Sequence, residues 1–193
     1  VGKKLINSQL LKDIPVPQTF FLKKVAKSLS KDIERTVKEL KLDLVQAEQE
    51  IAALSCVYAS RNLSVPVVAD FHGIWLEELI ASGLLKPNSS KYCKLLEVEK
   101  KIVKNVDAVL VVSDEMKRYV VDKYDLSGDF IHVIPNAAFP RRNKRPFESE
   151  VFNVVYAGTL TMRENMPLLL HAFSLVIKMY PRARLYMSGK GDA

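Results

Sequence analysis

Short apolar runs alternate along this chain with longer segments in which apolar residues return every three or four positions. The first such segment predicts a long amphipathic helix that ends near Asp43. Its apolar positions are Phe20, Phe21, Val25, Leu29, Ile33, Val37 and Leu40. Further helices are predicted over residues 51–62, 74–82, 91–105 and 115–123, the last with an N-cap at Ser113-Asp114. Strands are predicted over residues 42–46, 65–71, 107–112 and 130–134.

The C-terminal part of the chain predicts one complete βαβ unit. Residues 153–158 form a β-branched run that ends in Gly158, and residues 183–188 form a second strand that leads into Gly189-Lys190-Gly191. Between them, apolar residues repeat at helical spacing as far as Pro181. In such units ligands bind outside the carboxyl ends of the strands, where helix N-termini present free N–H groups. Residues 158–165 are therefore the first place to expect an anionic ligand.

Alternating strands and helices with buried-type strands predict an α/β fold with doubly wound parallel sheets. A basic, proline-containing stretch divides the chain, so we expect a first domain over residues 1–138, a linker over 139–150 and the start of a second domain over 151–193. Residues 1–11 are too polar and irregular for the central first strand of such a domain, and no glycine-rich turn follows them. We therefore expect the chain to be a piece of a larger protein.

Composition places the 193 residues among ordinary globular proteins, with 48% apolar residues and a mean hydropathy of +0.01. No apolar run approaches the roughly 20 residues of a membrane span, and the N-terminus lacks the apolar core of a signal peptide. A cytoplasmic location is expected. Cys56 and Cys93 lie on separate predicted helices without metal-type spacing, which favours buried free thiols over a metal site or a disulfide.

The net charge of +7 has two sources in the sequence. Lysines are spread over residues 23–41 and 86–104, which is typical of solvated helix faces, whereas residues 141–145 form one tight basic cluster. That cluster suits phosphates, acidic lipid headgroups or nucleic acid, but it lacks the interleaved aromatic residues of a base-stacking surface. Peripheral association with a membrane is therefore favoured over nucleic-acid binding.

Six segments in order give the chain a family resemblance. They include the run that ends in Asp70-Phe71-His72-Gly73, and the others lie at residues 107–113, 132–136, 155–160, 168–173 and 187–191. In this order and spacing they resemble family 4 of the retaining glycosyltransferases, from about residue 42 to the end. The resemblance implies the GT-B architecture, with two Rossmann-like doubly wound parallel sheets of which the second is only begun here. The acceptor would lie mostly on the first domain and the nucleotide sugar mostly on the second.

The resemblance also implies a reaction. A hexosyltransferase-type enzyme would move a sugar from a nucleotide-sugar donor to a sugar, lipid or protein acceptor with retention of configuration, in polysaccharide or glycolipid biosynthesis. It would need neither a metal nor another cofactor. The family's second-domain carboxylates would lie beyond Ala193, so the polypeptide by itself is expected to be inactive.

Three residues on the first domain are candidates for the cleft. The histidine of the family that matches His72 lies beside the donor sugar, so His72 is the catalytic candidate. Gly73 would let the backbone approach a ligand, and Glu77 on the following helix would face the acceptor. The competing interpretations are a structural histidine, a simple turn and a solvated carboxylate.

Candidates for the donor site on the second domain are Gly158, Thr159, Arg163 and Asn165. The family typically has an arginine directly after the glycine and a lysine about five residues later, whereas this chain has Thr159 and Glu164. Arg163 is the expected substitute cation, and Asn165 could hydrogen-bond a phosphate oxygen.

Two other classes remain open at this point. One is a nucleotide-sugar epimerase of the GT-B fold, which shares the phosphate site but needs no acceptor. The other is a non-catalytic GT-B-like binding module, which the two missing cations favour.

Overall fold

The structure is a computed structural model that describes residues 19–139, 151–161 and 164–191. The chain divides into two compact units, Val1–Asn136 and Ala137–Ala193. The predicted linker, apart from Phe139, lies outside the described residues, and so does the basic cluster at 141–145.

The first unit holds a parallel sheet of four strands in the order β1-β2-β3-β4. The strands are β1 (Val45–Glu48), β2 (Val67–Phe71), β3 (Ala108–Val111) and β4 (Ile131–Val133). The helices are α1 (Thr19–Leu40), α2 (Gln49–Ala59), α3 (Trp75–Ala81), α4 (Ser90–Val103) and α5 (Asp114–Tyr124). Short 3-10 turns follow α2 and precede β4. The predicted α/β class with a parallel, Rossmann-like sheet is confirmed.

The core of the first unit forms where one face of the sheet meets α2, α4 and α5. Val67, Ala69 and Phe71 of β2 are buried at every second position, as a strand with one covered face requires. Helix α2 packs against both β2 and α1, which explains why it is buried on several sides. Burying a side chain such as Leu54 or Ile102 contributes roughly 1.5–3 kcal/mol.

Two predictions for this unit were wrong in detail. The strand predicted over residues 42–46 lies at Val45–Glu48, because the N–H of Leu42 still bonds the carbonyl of Val37 at the end of α1 and leaves Leu42 partly exposed. Cys56 is buried as expected, but Cys93 is exposed on α4. A helical periodicity places a residue on a face, but the packing decides which face is covered.

The second unit contains β5 (Asn153–Ala157), α6 (Met166–Met179) and β6 (Arg184–Ser188). The two strands pair in parallel, from Asn153 opposite Arg184 to Ala157 opposite Ser188. No residue of α6 or of either strand is buried within the described part of the chain. Large apolar side chains stay exposed there, including Val155, Leu168, Ile177 and Met179. The described residues of the second unit therefore leave the apolar faces of its strands and helix largely uncovered.

Candidate active site at the carboxyl edge of the parallel sheet

The carboxyl ends of β1 and β2 bring a histidine and two carboxylates together. Gln46 lies on β1, where its Nε2 donates a hydrogen bond of 2.7 Å to Oδ2 of Asp70 on β2. His72 follows β2 directly, and its Nε2 lies 3.7 Å from Oδ1 of Asp70 and 3.7 Å from Oε1 of Glu48. The in-register pairing of Glu48 with Asp70 places both acids beside the same imidazole. His72 is thus flanked by two carboxylates, one of which Gln46 holds in place.

Exposure differs sharply among these three side chains. The His72 side chain is 38% exposed and Glu48 is 73% exposed, whereas Asp70 is only 18% exposed. A solute at this edge of the sheet can therefore contact the imidazole and Glu48 directly, whereas Asp70 is mostly covered. A histidine in this arrangement can donate an N–H to an oxygen of a bound sugar or phosphate.

The backbone beside this cluster is strained at one point. Gln49, the residue after Glu48, has φ 66°, which costs a non-glycine residue about 1–2 kcal/mol. Helix α2 begins there without a side-chain cap from Glu48. Strained backbone concentrates at functional sites, so this observation is consistent with a ligand site at the edge of the sheet. The edge of β3 is relaxed by contrast, since the Ser113 hydroxyl accepts from the Met116 N–H as the sequence predicts.

Gly73 and Glu77 lie next to His72 in the chain, but their surroundings differ. A Cβ on Gly73 would lie 2.0 Å from Oε1 of Glu78, so the bare backbone leaves room for that carboxylate. Glu77 on α3 accepts hydrogen bonds from the Tyr119 hydroxyl and from Lys123, whose Nζ lies 3.4 Å away. Glu77 is therefore held by α5 rather than fully solvated, although 44% of its side chain is exposed.

A buried acid that the sequence did not reveal lies on α4. Glu99 on α4 is buried, and its carboxylate accepts from the Tyr124 hydroxyl and from the Leu76 N–H at 3.4 Å. The Lys123 ammonium lies 3.6 Å from Oε2 of Glu99. Burial raises the pKa of Glu99, and burial together with the nearby carboxylate raises the pKa of Tyr124. The position of Glu99 between the apolar residues Val98 and Ile102 was the available signal.

Glu50 is a second buried acid that the sequence did not reveal. It lies in the first turn of α2, and burial raises its pKa from 4.5 to about 8, against the effect of a bond from its own backbone N–H. The charges of Glu99 and Glu78 push the pKa in the same direction as burial. Glu50 and Glu99 line one small cavity with Trp75, Tyr119 and Gly73, the residue that follows His72. Glu50 is therefore largely neutral at pH 7.

In the predicted donor loop of the second unit, polar groups bond to other groups of the loop or to the strand before it. Oγ1 of Thr159 donates to Oε1 of Glu164 at 3.0 Å, and the Tyr156 hydroxyl donates to the Thr159 carbonyl at 2.7 Å. Asn165 is the N-cap of α6 with φ 52° and makes no side-chain cap bond. Arg163 lies outside the part of the chain that the structure describes.

Few backbone donors at the start of α6 remain available to an anion. Pro167, the second residue of the helix, has no N–H, and the N–H groups of Leu168 and Leu169 both donate to the Asn165 carbonyl. The loop after β6 approaches closely, since a Cβ on Gly189 would lie 1.6 Å from the carbonyl oxygen of Gly158. Gly158 in turn donates its N–H to Ser188 at 3.0 Å.

Comparison with known families decides what this arrangement belongs to. The sequence profile of Glycosyltransferase Family 4 matches residues 8–142, which include the whole sheet of the first unit and His72. The chain belongs to glycosyltransferase family 4. Transfer of a glycosyl group is therefore the general activity of this domain, and it implies a donor and an acceptor. No curated protein matches the chain.

The family 4 match includes His72, Gly73 and Glu77 but assigns no role to any of them. It ends before β5 and therefore does not reach the predicted donor loop. The roles of these residues, and those of Gly158, Thr159, Arg163 and Asn165, remain predictions. Across the described residues, no group of three or more His, Cys, Asp and Glu side chains could hold a metal ion. None of the described helices is long and apolar enough to cross a membrane.

Proposed function

We propose that the protein transfers a hexose from a nucleotide-sugar donor to a sugar, lipid or protein acceptor with retention of configuration and without a metal. The observation that carries this proposal is the position of His72 between Asp70 and Glu48, at the carboxyl edge of a family 4 sheet. Ligands of open parallel sheets bind outside this edge.

The charges at this edge suit the sugar end of the donor. As a nucleoside diphosphate leaves, positive charge develops at the anomeric carbon and negative charge on the phosphates. Asp70 and Glu48 supply negative charge near the sugar, and the imidazole of His72 supplies an N–H for a sugar or phosphate oxygen. Gln46 fixes Asp70, so Asp70 needs little rearrangement as the reaction proceeds.

The test is a His72→Ala exchange in the full-length protein, assayed with UDP, GDP and ADP sugars. Loss of a hydrogen bond to a charged group costs about 1.5–3 kcal/mol, so kcat should fall roughly 10- to 100-fold. His132→Ala is the matched control, because His132 is exposed on β4. NMR of the first product formed should show the anomeric configuration of the donor. An inverted product, or equal rates for both variants, would contradict the proposal.

We further propose that the polypeptide of 193 residues has no transferase activity by itself. The apolar side chains left exposed on β5, α6 and β6 support this proposal, because a preorganised donor site requires elements whose apolar faces are packed in a core. Measurable turnover of any nucleotide sugar by this polypeptide would overturn the proposal.

A non-catalytic binding module is the second candidate, and one contact favours it. Glu164 places a carboxylate in the loop where the family resemblance leads us to expect a phosphate-binding cation. A module of this kind would bind an acceptor-like ligand at the edge with His72 but would turn over no donor. Titration of the full-length protein with UDP, GDP and ADP sugars distinguishes the two, since only the transferase should bind one of them.

A further inference from the structure

Helix α1 carries a continuous line of basic side chains, here called the basic stripe. Its members are Lys24, Lys27, Lys31, Arg35 and Lys38. They follow one another at intervals of three or four residues, which places them on one face of the helix. All five are exposed, and the stripe is about 21 Å long at a rise of about 1.5 Å per residue.

The opposite side of α1 fixes which way the stripe faces. Leu22, Ala26 and Val37 are buried, and the helix packs there against α2. Because these residues are anchored in the core, the basic stripe cannot rotate inward. Arg35 forms an ion pair with Asp32, with 2.8 Å between Nη2 and Oδ1. The four lysines of the stripe form no ion pair with any other described residue.

Two aromatic residues stand at the N-terminal end of the stripe. Phe20 is 77% exposed and Phe21 is 44% exposed. Phe20 lies four residues before Lys24 and therefore on the same face of the helix. A cluster of four to eight Lys and Arg residues on an amphipathic helix is typical of segments that bind anionic lipid headgroups. Aromatic side chains are enriched at the level of those headgroups.

The basic surface continues beyond α1. Lys27 and Lys31 line a groove with Tyr58 of α2, and Lys101 of α4 lies over the Tyr58 ring with Nζ 4.3 Å from its centre. The one acid in this groove, Glu34, accepts a hydrogen bond from Asn62 at 3.1 Å. Lysines of α1 and α4 thus lie around the same ring, that of Tyr58.

We propose that α1 docks the protein on the surface of an anionic lipid bilayer. The lysines of the basic stripe would contact lipid phosphates and carboxylates, while Phe20 and Phe21 would enter the boundary between headgroups and acyl chains. Nucleic acid is a poorer occupant, because the Tyr58 ring already carries Lys101 on one face. Phe20 and Phe21 stand at one end of the stripe, whereas a base-stacking surface has its aromatic residues between the basic ones. The proposal does not depend on the sugar-transfer reaction.

The test is sedimentation of the full chain with vesicles of phosphatidylcholine, either pure or with about a third phosphatidylserine. The protein should bind the anionic vesicles and not the neutral ones, and added salt should weaken binding. Lys24→Glu/Lys27→Glu/Lys31→Glu should lower the affinity at least about a hundredfold. Phe20→Ser/Phe21→Ser should lower it about tenfold without any change of charge.

The matched control is Lys86→Glu/Lys104→Glu/Lys178→Glu, which makes the same change of net charge at three exposed lysines elsewhere. This control should bind anionic vesicles much more tightly than the stripe variant. Equal losses in the two triple variants would show that net charge alone drives binding and would overturn the proposal. Binding to a generic RNA that is unaffected by Phe20→Ser/Phe21→Ser, without binding to vesicles, would also overturn it. Circular dichroism of each variant confirms that it is folded.

Discussion

The hydroxyl of Thr159 donates a hydrogen bond to the carboxylate of Glu164, with 3.0 Å between Oγ1 and Oε1. The two residues occupy the positions at which the resemblance to family 4 leads us to expect an arginine and a lysine. Thr159 thus stands in place of the expected arginine and Glu164 in place of the expected lysine, and the two side chains bond each other. A carboxylate here repels phosphate, and this contact is the main obstacle to a conventional donor site.

Restoring the two cations should strengthen donor binding. Thr159→Arg/Glu164→Lys in the full-length protein removes one repulsive charge and adds two charged donors, each worth about 1.5–3 kcal/mol. Calorimetric titration should show an affinity for one nucleotide sugar at least about tenfold above that of the wild type. Thr159→Val/Glu164→Gln, which only removes the contact and the charge, should give a smaller gain. No gain with any of the UDP, GDP and ADP sugars would show that this loop does not face a phosphate.

Arg163 should be the residue of this loop that contributes most to nucleotide-sugar binding. It is the basic residue beside Glu164 in the sequence, although it lies outside the described residues. Arg163→Ala in the full-length protein should weaken nucleotide-sugar binding about tenfold or more, since a charged hydrogen bond is lost. Lys178→Ala, at the exposed end of α6, serves as the control and should bind normally. Unchanged affinity in Arg163→Ala would exclude the role.

The Tyr124 hydroxyl should be important for stability because it partners a buried acid. Tyr124→Phe leaves the Glu99 carboxylate without that donor, which should lower the free energy of unfolding by about 1–3 kcal/mol. Tyr119→Phe should cost less, because its partner Glu77 is 44% exposed and water can replace the hydroxyl. Urea unfolding of the two variants measures the difference. Equal costs would mean that burial of the partner does not determine the effect.

Glu50 should make the protein less stable as the pH rises. Its pKa is about 8 in the folded protein against an ordinary 4.5, so folding takes up a proton between these values. Below pH 4.5 Glu50 is protonated in both the folded and the unfolded state, so it does not change the free energy of unfolding. Between pH 4.5 and pH 8 it should lower that free energy by about 1.4 kcal/mol per pH unit. Glu50→Gln keeps the shape of the neutral acid and removes this dependence.

The measurement is thermal unfolding of wild type and Glu50→Gln at several values from pH 5 to about one unit above pH 8, a window that follows from the two pKa values. The variant should gain stability over the wild type as the pH rises, and the gap should level off above pH 8. Glu39→Gln, an exposed change on α1, should follow the wild type. A gap that stays constant across the window would show that Glu50 ionises normally.

Local sequence predicted most of the elements correctly, because periodicity and turn chemistry act over a few residues. The apolar repeat gave α1 within a few residues, and the apolar runs gave β2 and β3. The Ser113 cap was predictable for the same reason, since the N–H that it accepts from belongs to Met116, only three residues away. The boundary of β1 was wrong because Leu42 and Leu44 are apolar but lie on the surface after α1.

The site divides in the same way. The sequence by itself determined that His72 follows a buried strand, because a strand end and a turn are local features. Only the tertiary structure brought Glu48 and Asp70 beside His72, since the register of β1 against β2 decides which side chains meet. The partners of Glu99, on helices far apart in the chain, were equally hidden. Electrostatic partners depend on three-dimensional distance, and residue type alone does not reveal whether a carboxylate such as Glu50 lies in water or in the core.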